Sequence, residues 1–258
     1  MTTPPSAPAR PAPVKRRRIS LAHRVPPPSG HYRWVYLWEW PIRTMHWIAA
    51  GCILVLVVTG LYIGKPYFVS GAPESSDPFL MGWMRFLHFT AAGLLVMTGI
   101  VRVYWLFAGN KFERFAALFP VRPRDWVNLV RQVKYYLMIQ PEKAPRYLGH
   151  NPLQQLSYTG VYLLAVIMVL TGFAMYGQSD PDGFFYRAFG WVGTVLGGMP
   201  VARFIHHVAA WLFLVFIPIH VYLAIRADNL ERTGVISSIF SGGRFVPADE
   251  TFEDQDGA

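Results

Sequence analysis

Long apolar stretches separated by polar ones dominate the pattern of residues along this chain. Four segments carry no charged residue or only one, namely 44–64, 86–109, 147–179 and 204–225. Each can supply the roughly 20 residues that a helix needs to cross a hydrocarbon core of about 30 Å. The pattern therefore predicts an all-α integral membrane protein built as a four-helix transmembrane bundle.

Local signals refine the helix boundaries. Asn151 is suited to cap the third helix, and Pro152 is suited to its first helical position. Pro218 removes one backbone hydrogen bond in the fourth helix, which predicts a kink beside His220. The aromatic and apolar stretch 184–196 predicts an additional helix lying along the membrane surface.

Composition agrees with a membrane protein. Hydrophobic residues make up 53% of the chain and charged residues 15%, whereas an ordinary soluble domain has roughly 25% charged residues. The net charge is +9, and the basic residues lie mainly outside the apolar segments. This pattern sets orientation in a lipid bilayer and argues against nucleic-acid binding. Cys52 is the single cysteine and no Cys-x-x-Cys-His occurs, so any haem is held without covalent attachment.

The chain divides into three regions. Residues 1–30, rich in Pro, Ala, Ser and Arg, predict a disordered basic cytoplasmic arm. Residues 31–230 form the four-helix transmembrane domain, and residues 231–258 form a cytoplasmic C-terminal tail. The segment 110–146 carries eight Lys and Arg residues, whereas 66–84 and 178–202 carry one between them. The positive-inside rule therefore predicts that both the N and C termini are cytoplasmic.

Histidines inside the apolar segments are the candidate functional residues, because an ionisable side chain within a membrane costs free energy. They are His46, His88, His206, His207 and His220. At about 100° per residue, the fourteen-residue separation of His206 and His220 places them on one helical face about 21 Å apart. His207 points about 140° away from His220, so His206 is the better ligand candidate.

Depth in the membrane pairs these histidines. His88 and His206 lie near the outer surface, and His46 and His220 lie near the inner surface. Each pair can offer two neutral imidazole nitrogens to one iron atom from opposite sides of a porphyrin. The sequence thus predicts four haem-iron ligands and two b-type haems, although a single histidine at a helix end is more often an interfacial polar residue.

Four arginines are candidates for binding haem propionates. Arg43, Arg85 and Arg203 each precede a candidate ligand by three residues, which places them one helical turn nearer the water. Arg102 follows His88 by fourteen residues and reaches the level of the inner haem. The alternative is that these side chains extend from helix ends to the membrane interface. This alternative fits Arg43, Arg85 and Arg203 well and Arg102 less well.

Several segments closely resemble the cytochrome b subunit of membrane-bound nickel–iron hydrogenases, from about residue 32 to about residue 245. They are Pro41-Ile42-Arg43-x-x-His46-Trp47, Thr59-Gly60-x-x-Ile63-Gly64-Lys65-Pro66, Arg85-x-x-His88-Phe89, Gly149-His150-Asn151-Pro152, Thr171-Gly172-Phe173-Ala174 and His220-Val221-Tyr222-x-Ala224-x-Arg226.

The resemblance implies a multi-pass subunit of the bacterial inner membrane that anchors an uptake hydrogenase through its small subunit, and through that the large subunit. Electrons from iron–sulfur clusters would enter at the His88–His206 haem, leave at the His46–His220 haem and reduce a quinone near His150, Arg102 or Tyr222. The chain itself holds no hydrogen-activating site. It would be the electron-transfer subunit of a hydrogen:quinone oxidoreductase. An oligomer that contains several copies of the subunit is possible.

Two alternatives stay open. A cytochrome b subunit of a formate dehydrogenase or similar periplasmic reductase shares the four-helix, two-haem plan. A metal-ion transporter or a purely structural anchor belongs to a different class and would contain no haem. The transporter also predicts acidic residues or an internal repeat within the membrane, and the apolar segments suggest neither.

Overall fold

The computed structural model describes residues 30–67, 79–137 and 145–255. The predicted basic arm, except residue 30, lies outside the described residues. The elements in chain order are β1 (Tyr32–Tyr36), α1 (Trp40–Gly64), α2 (Leu80–Ala108), α3 (Phe115–Leu118), α4 (Pro123–Tyr136), α5 (Pro152–Gly177), α6 (Phe184–Val195), α7 (Met199–Glu231), α8 (Val235–Ser241) and β2 (Gly243–Pro247).

Four of the described helices, α1, α2, α5 and α7, are long and apolar enough to cross a membrane, with mean hydropathies from 1.7 to 2.3. This confirms the predicted four-helix membrane bundle. α1, α2 and α7 begin several residues before their segments of low charge, because helix ends reach into the polar interface where charged residues are tolerated, whereas α5 lies within its segment. The cytoplasmic location of both termini stays a prediction.

The helix start predicted at Asn151 is a capping box. The Asn151 side chain accepts a hydrogen bond from the Gln154 backbone N–H at 3.0 Å, and the Gln154 side chain accepts one from the Asn151 N–H at 2.9 Å. Two backbone donors at the start of α5 are thereby satisfied. Pro218 lies inside α7, which continues past it, and α6 occupies the stretch predicted to form an extra helix.

The long helices form two pairs. α1 packs along α2, and α5 packs along α7, with α6 against α5. Between the pairs, the described residues make a small contact through α1 and α7. A cavity of about 4280 Å³ runs between the pairs. We call the end of the bundle beside β1 and β2 the sheet end, and the opposite end the α6 end.

A two-stranded antiparallel sheet joins the beginning and end of the described chain, and it adds to the predicted all-α class. Tyr32 of β1 lies opposite Pro247 of β2, and Tyr36 lies opposite Gly243. The sheet is anchored by a small buried cluster of Leu37, Phe112, Leu148 and Val246. Part of the predicted tail, residues 231–258, therefore packs against the bundle.

Two polar side chains near the C-terminus hold the segment that leads into α5. The Asp254 carboxylate accepts hydrogen bonds from the backbone N–H groups of Leu148 at 2.8 Å and Gly149 at 2.7 Å. The buried guanidinium of Arg244 donates to the Leu148 carbonyl at 3.1 Å and pairs with Glu231. These contacts fix the position of His150, which follows directly.

Replacing Asp254 with alanine should loosen this segment. Hydrogen bonds to a charged group contribute about 1.5–3 kcal/mol each, so we expect the Leu148 and Gly149 amides to exchange hydrogen at least tenfold faster. Hydrogen–deuterium exchange measures this directly. Asp249→Ala is the matched control, because Asp249 is an exposed acid nearby. Equal protection of these two amides in both variants would contradict the hydrogen bonds assigned to Asp254.

Candidate functional site

His88 of α2 contacts α1 through a defined hydrogen bond. Its Nδ1 lies 2.9 Å from the Thr59 hydroxyl oxygen, and that hydroxyl donates to the Val55 carbonyl at 2.7 Å. A hydroxyl has one proton to donate, so with that proton on the Val55 carbonyl the Thr59 oxygen accepts a hydrogen bond from His88 Nδ1–H. The neutral imidazole then has an unprotonated Nε2, which is the nitrogen that would bind a metal.

His206 of α7 meets α5 in the same way. Its Nδ1 lies 2.9 Å from the Thr171 hydroxyl, which donates to the Ile167 carbonyl at 2.6 Å. The next residue, Gly172, gives the imidazole its space, because a Cβ atom there would lie 3.3 Å from His206 Cε1. Gly60 does the same for His88 at 3.2 Å. The space at each glycine is thus used by an imidazole edge.

The two helix pairs therefore repeat one arrangement. Each presents a Thr-Gly dipeptide on its first helix and an Arg-x-x-His sequence on its second, namely Thr59-Gly60 with Arg85-x-x-His88 and Thr171-Gly172 with Arg203-x-x-His206. Sequence analysis did not detect this correspondence, because the threonine and histidine are 29 residues apart in one pair and 35 in the other. Both His88 and His206 line the cavity between the helix pairs.

His46 and His220 come together at the sheet end. Their ring centres are 6.4 Å apart, with ring planes at 49°. A metal-bound imidazole nitrogen lies about 2 Å from the metal and roughly 1 Å from its ring centre, so two imidazoles on opposite sides of one metal have centres about 6 Å apart. The observed separation fits this arrangement.

His207 takes a different direction from its neighbour. Its Cε1 lies 3.3 Å from the position that a Cβ atom would take at Gly64 of α1, and its ring is edge-on to Trp211. His207 thus faces another helix, as its helical phase predicts, and it makes no contact with Thr171.

The predicted arginines occupy different surroundings. Arg85 and Arg203 line the cavity at the α6 end, and Arg43 donates a hydrogen bond to the Phe240 carbonyl of α8. Arg102 donates to the Tyr162 hydroxyl and to the Glu113 carbonyl, both at 3.2 Å. Its Nη1 is buried without a hydrogen-bond partner among the described residues, and is therefore available to an anionic group in the cavity.

Of the three residues predicted to lie near the quinone, His150 and Arg102 line the cavity with His46 and His220, and Tyr222 does not. The ring centre of His150 is 4.8 Å from those of Trp38 and Tyr158. Burial, and then the nearby Arg102 charge, lower the pKa of His150 to about 3, so it is neutral at physiological pH. Tyr222 is 63% exposed and faces the outside of the bundle.

Sequence reasoning missed three polar residues of the site. Thr59 and Thr171 were quoted as parts of similar segments, and the signal that could have identified them is the same dipeptide in two membrane helices. Glu113 is buried and accepts hydrogen bonds from the Glu39 backbone N–H at 2.5 Å and from Trp105 Nε1 at 2.9 Å. Burial raises its pKa to about 6, and nothing in its loop sequence indicates this.

Known proteins resemble the chain over most of its length. A family model described as prokaryotic cytochrome b561 matches residues 37–242. The probable Ni/Fe-hydrogenase B-type cytochrome subunit of Azotobacter vinelandii is 41% identical over 219 residues, which are 83% of this chain and 90% of that protein. The probable Ni/Fe-hydrogenase 1 B-type cytochrome subunit of Escherichia coli K12 is 34% identical over 217 residues, 81% of this chain and 90% of that protein.

These similarities confirm three predictions from the sequence. The family resemblance is correct, the protein is a multi-pass protein of the bacterial inner membrane, and its cofactor is haem b. The roles of individual histidines and arginines stay predictions.

Replacing Thr171 with valine should weaken haem binding at the His88–His206 pair. The change removes the acceptor of His206 Nδ1–H and keeps the side-chain shape. Loss of such a partner typically lowers metal affinity by about 10–100-fold, so we expect faster transfer of one haem to an acceptor protein, followed by absorbance. Thr171→Ser should restore retention.

Thr159→Val is the matched control, because Thr159 also donates to a carbonyl within α5 but has no histidine among its hydrogen-bond partners. Normal haem retention in Thr171→Val would show that this hydrogen bond does not position His206.

Protein stability should also depend on pH through His150. Its pKa in the folded protein lies below the unfolded value of 6.5, so the unfolded chain takes up the proton first. The contribution of neutral His150 to the free energy of unfolding is complete above pH 6.5. It falls as the pH drops towards 3, by at most about 1.4 kcal/mol per pH unit. Glu113 has the opposite dependence, because its pKa is raised from 4.5 to about 6.

Thermal unfolding in detergent at pH 7.5 and pH 5, followed by circular dichroism, would measure this dependence. His150→Phe should lose less stability on acidification than the unmodified protein, whereas His31→Phe, at an exposed position, should behave like the unmodified protein. An identical response of both variants would contradict the predicted role of His150.

Proposed function

The chain belongs to the prokaryotic cytochrome b561 family, and on that premise we propose that it is the dihaem b-type cytochrome subunit of a nickel–iron hydrogenase complex. In this role it anchors the hydrogenase at the periplasmic face through the small subunit. It receives electrons from the iron–sulfur clusters of that subunit and delivers them across the membrane to the quinone pool. The names of its relatives support a hydrogenase as the partner.

The observation that carries this proposal is the presence of two histidine pairs at opposite ends of one cavity. His46 and His220 line it at the sheet end, and His88 and His206 line it at the α6 end. The cavity of about 4280 Å³ is several times larger than an ordinary ligand pocket of about 300–1,000 Å³. Its size, apolar walls and paired imidazoles suit two haem groups.

The histidines of the α6 end have the form that iron requires. With Nδ1–H donated to the threonine hydroxyl, Nε2 of each ring would be left for the iron, and Gly60 and Gly172 leave space for the edges of the imidazoles. At the sheet end the separation of 6.4 Å between ring centres supports His46 and His220 as the second pair. Two haems held there would supply one-electron transfer between the two ends of the bundle.

Four arginines would balance the propionate charges. The unpartnered Nη1 of Arg102 supports its assignment to the haem at the sheet end. Arg85 and Arg203 line the cavity near the other pair. Arg43 already donates to the Phe240 carbonyl, so its guanidinium would have to be shared between that carbonyl and a propionate.

The orientation of the complex follows from charge. The described parts of the basic segment, 110–137 and 145–146, begin and end beside the sheet, so we propose that this end is cytoplasmic and that the α6 end faces the periplasm and the hydrogenase. Quinone would be reduced near His150 and Arg102, beside the His46–His220 pair. Tyr222, on the outer surface, would meet only a quinone approaching from the lipid.

The repeated arrangement of the two helix pairs is a feature that a metal-ion transporter would share, but the four apolar segments contain no Asp or Glu to line an ion path. Across the described ranges, no group of three or more His, Cys, Asp and Glu side chains is placed to hold a metal ion, whereas a metal-ion transporter would require one. A formate dehydrogenase subunit would share the haem sites, so the subunits that co-purify with the chain distinguish it from a hydrogenase subunit.

Replacing His206 with alanine should remove one of the two haems. We expect the haem content to fall from two per chain to one, because the His46–His220 pair is about 21 Å away along α7 and shares no ligand with it. Haem stoichiometry and the dithionite-reduced minus oxidised spectrum of the purified subunit measure this.

His207→Ala is the matched control, since it removes the adjacent imidazole on the same helix, and both haems should remain. The ligand assignment fails if the His206 variant keeps both haems or the His207 variant loses one. A single haem in the unmodified protein would contradict the dihaem proposal itself.

A further inference from the structure

The amphipathic helix α4 has its polar and apolar faces inverted with respect to the protein. Asp125, Asn128 and Gln132 face the rest of the chain and are buried. On the outside, Trp126 and Val130 are each 54% exposed. A surface helix surrounded by water normally buries its apolar residues and exposes its polar ones.

The exposed residues of α4 divide into two stripes. At about 100° per residue, four apolar side chains fall within a sector of about 60°, and three basic side chains fall in the adjacent sector, which also contains the exposed Val127. The apolar stripe consists of Trp126, Val130, Val133 and Leu137, the last being the residue directly after the helix, and the basic stripe consists of Arg124, Arg131 and Lys134.

The contacts of α4 place it at the level where α5 enters the membrane. Asn128 donates to the hydroxyl of Tyr147 at 2.8 Å, and Tyr147 lies five residues before α5. Gln155, in the first turn of α5, donates to the carbonyl of Ala117 at 3.1 Å, a few residues before α4. The helix therefore lies beside the polar boundary of a membrane-spanning helix.

We propose that α4 is an interfacial helix that lies in the membrane surface at the sheet end. Its apolar stripe enters the boundary between headgroups and acyl chains, and its basic stripe contacts anionic lipid headgroups. Two observations favour lipid over a protein partner. The apolar stripe lies on a helix that packs beside the start of the membrane-spanning helix α5, and the charged side chains exposed on the described part of α4 are all basic, as in other helices that bind anionic membranes.

This placement has a consequence for the cavity. Asn128 connects α4 to Tyr147, and Tyr147 belongs to the segment that carries Leu148 and His150. A helix held by the membrane would fix that segment from the lipid side, while Asp254 and Arg244 fix it from the sheet. The inference goes beyond the electron-transfer role and does not depend on it.

Site-directed spin labelling of the haem-loaded chain in nanodiscs tests the placement. The labels would be attached to Val130→Cys and Arg131→Cys, which are adjacent and both exposed but belong to different stripes. Cys52 is 6% exposed within α1, and the unmodified chain treated with the label gives the background. Val133→Cys and Lys134→Cys form a second pair should either of the first two variants not fold.

For each label, the collision rate with dissolved oxygen is divided by the collision rate with a water-soluble nickel chelate. We expect this ratio to be at least threefold higher for the label at Val130 than for the label at Arg131. Adding phosphatidylglycerol to phosphatidylcholine nanodiscs should increase this contrast. Equal access of the chelate to both labels would show that α4 lies in water. Exclusion of both reagents from the Val130 label would show that a protein, such as a second copy, covers the stripe. Either result would overturn the proposal.

Discussion

An imidazole N–H inside a membrane needs a hydrogen-bond acceptor, because no water is present to provide one. Thr59 and Thr171 provide it for His88 and His206, and each hydroxyl is satisfied in turn by a carbonyl one turn earlier in its own helix. The second nitrogen of each ring is left as an acceptor, which is the state that a metal ligand requires.

This contact also determines how the helices pack. An imidazole can reach a threonine on the neighbouring helix only if the helix backbones approach closely, and Gly60 and Gly172 allow that approach. The same device holds α1 to α2 and α5 to α7. In lipid there is little hydrophobic driving force between helices, so groups bound in the cavity between the two pairs would contribute to holding them together.

The sheet end depends on a different kind of interaction. There, buried charged and polar side chains connect segments that are far apart in sequence: Glu113 to the start of α1, Asp254 to the segment before α5, and Arg244 to that segment and to Glu231. The surroundings of His150 and Arg102 are fixed by these contacts. Burial also raises the pKa of Glu113 and lowers that of His150.

The sequence by itself determined the four membrane helices, the start of α5 at Asn151 and the grouping of the histidines by depth, because hydropathy, capping and helical phase are local properties. Only the tertiary structure decided the partners of those histidines, the inverted faces of α4 and the pairing of β1 with β2. Each of these depends on contacts between residues distant in the chain. The two Thr-Gly dipeptides illustrate the difference, since their residues are visible in the sequence but their role appears only when a second helix brings an imidazole to them.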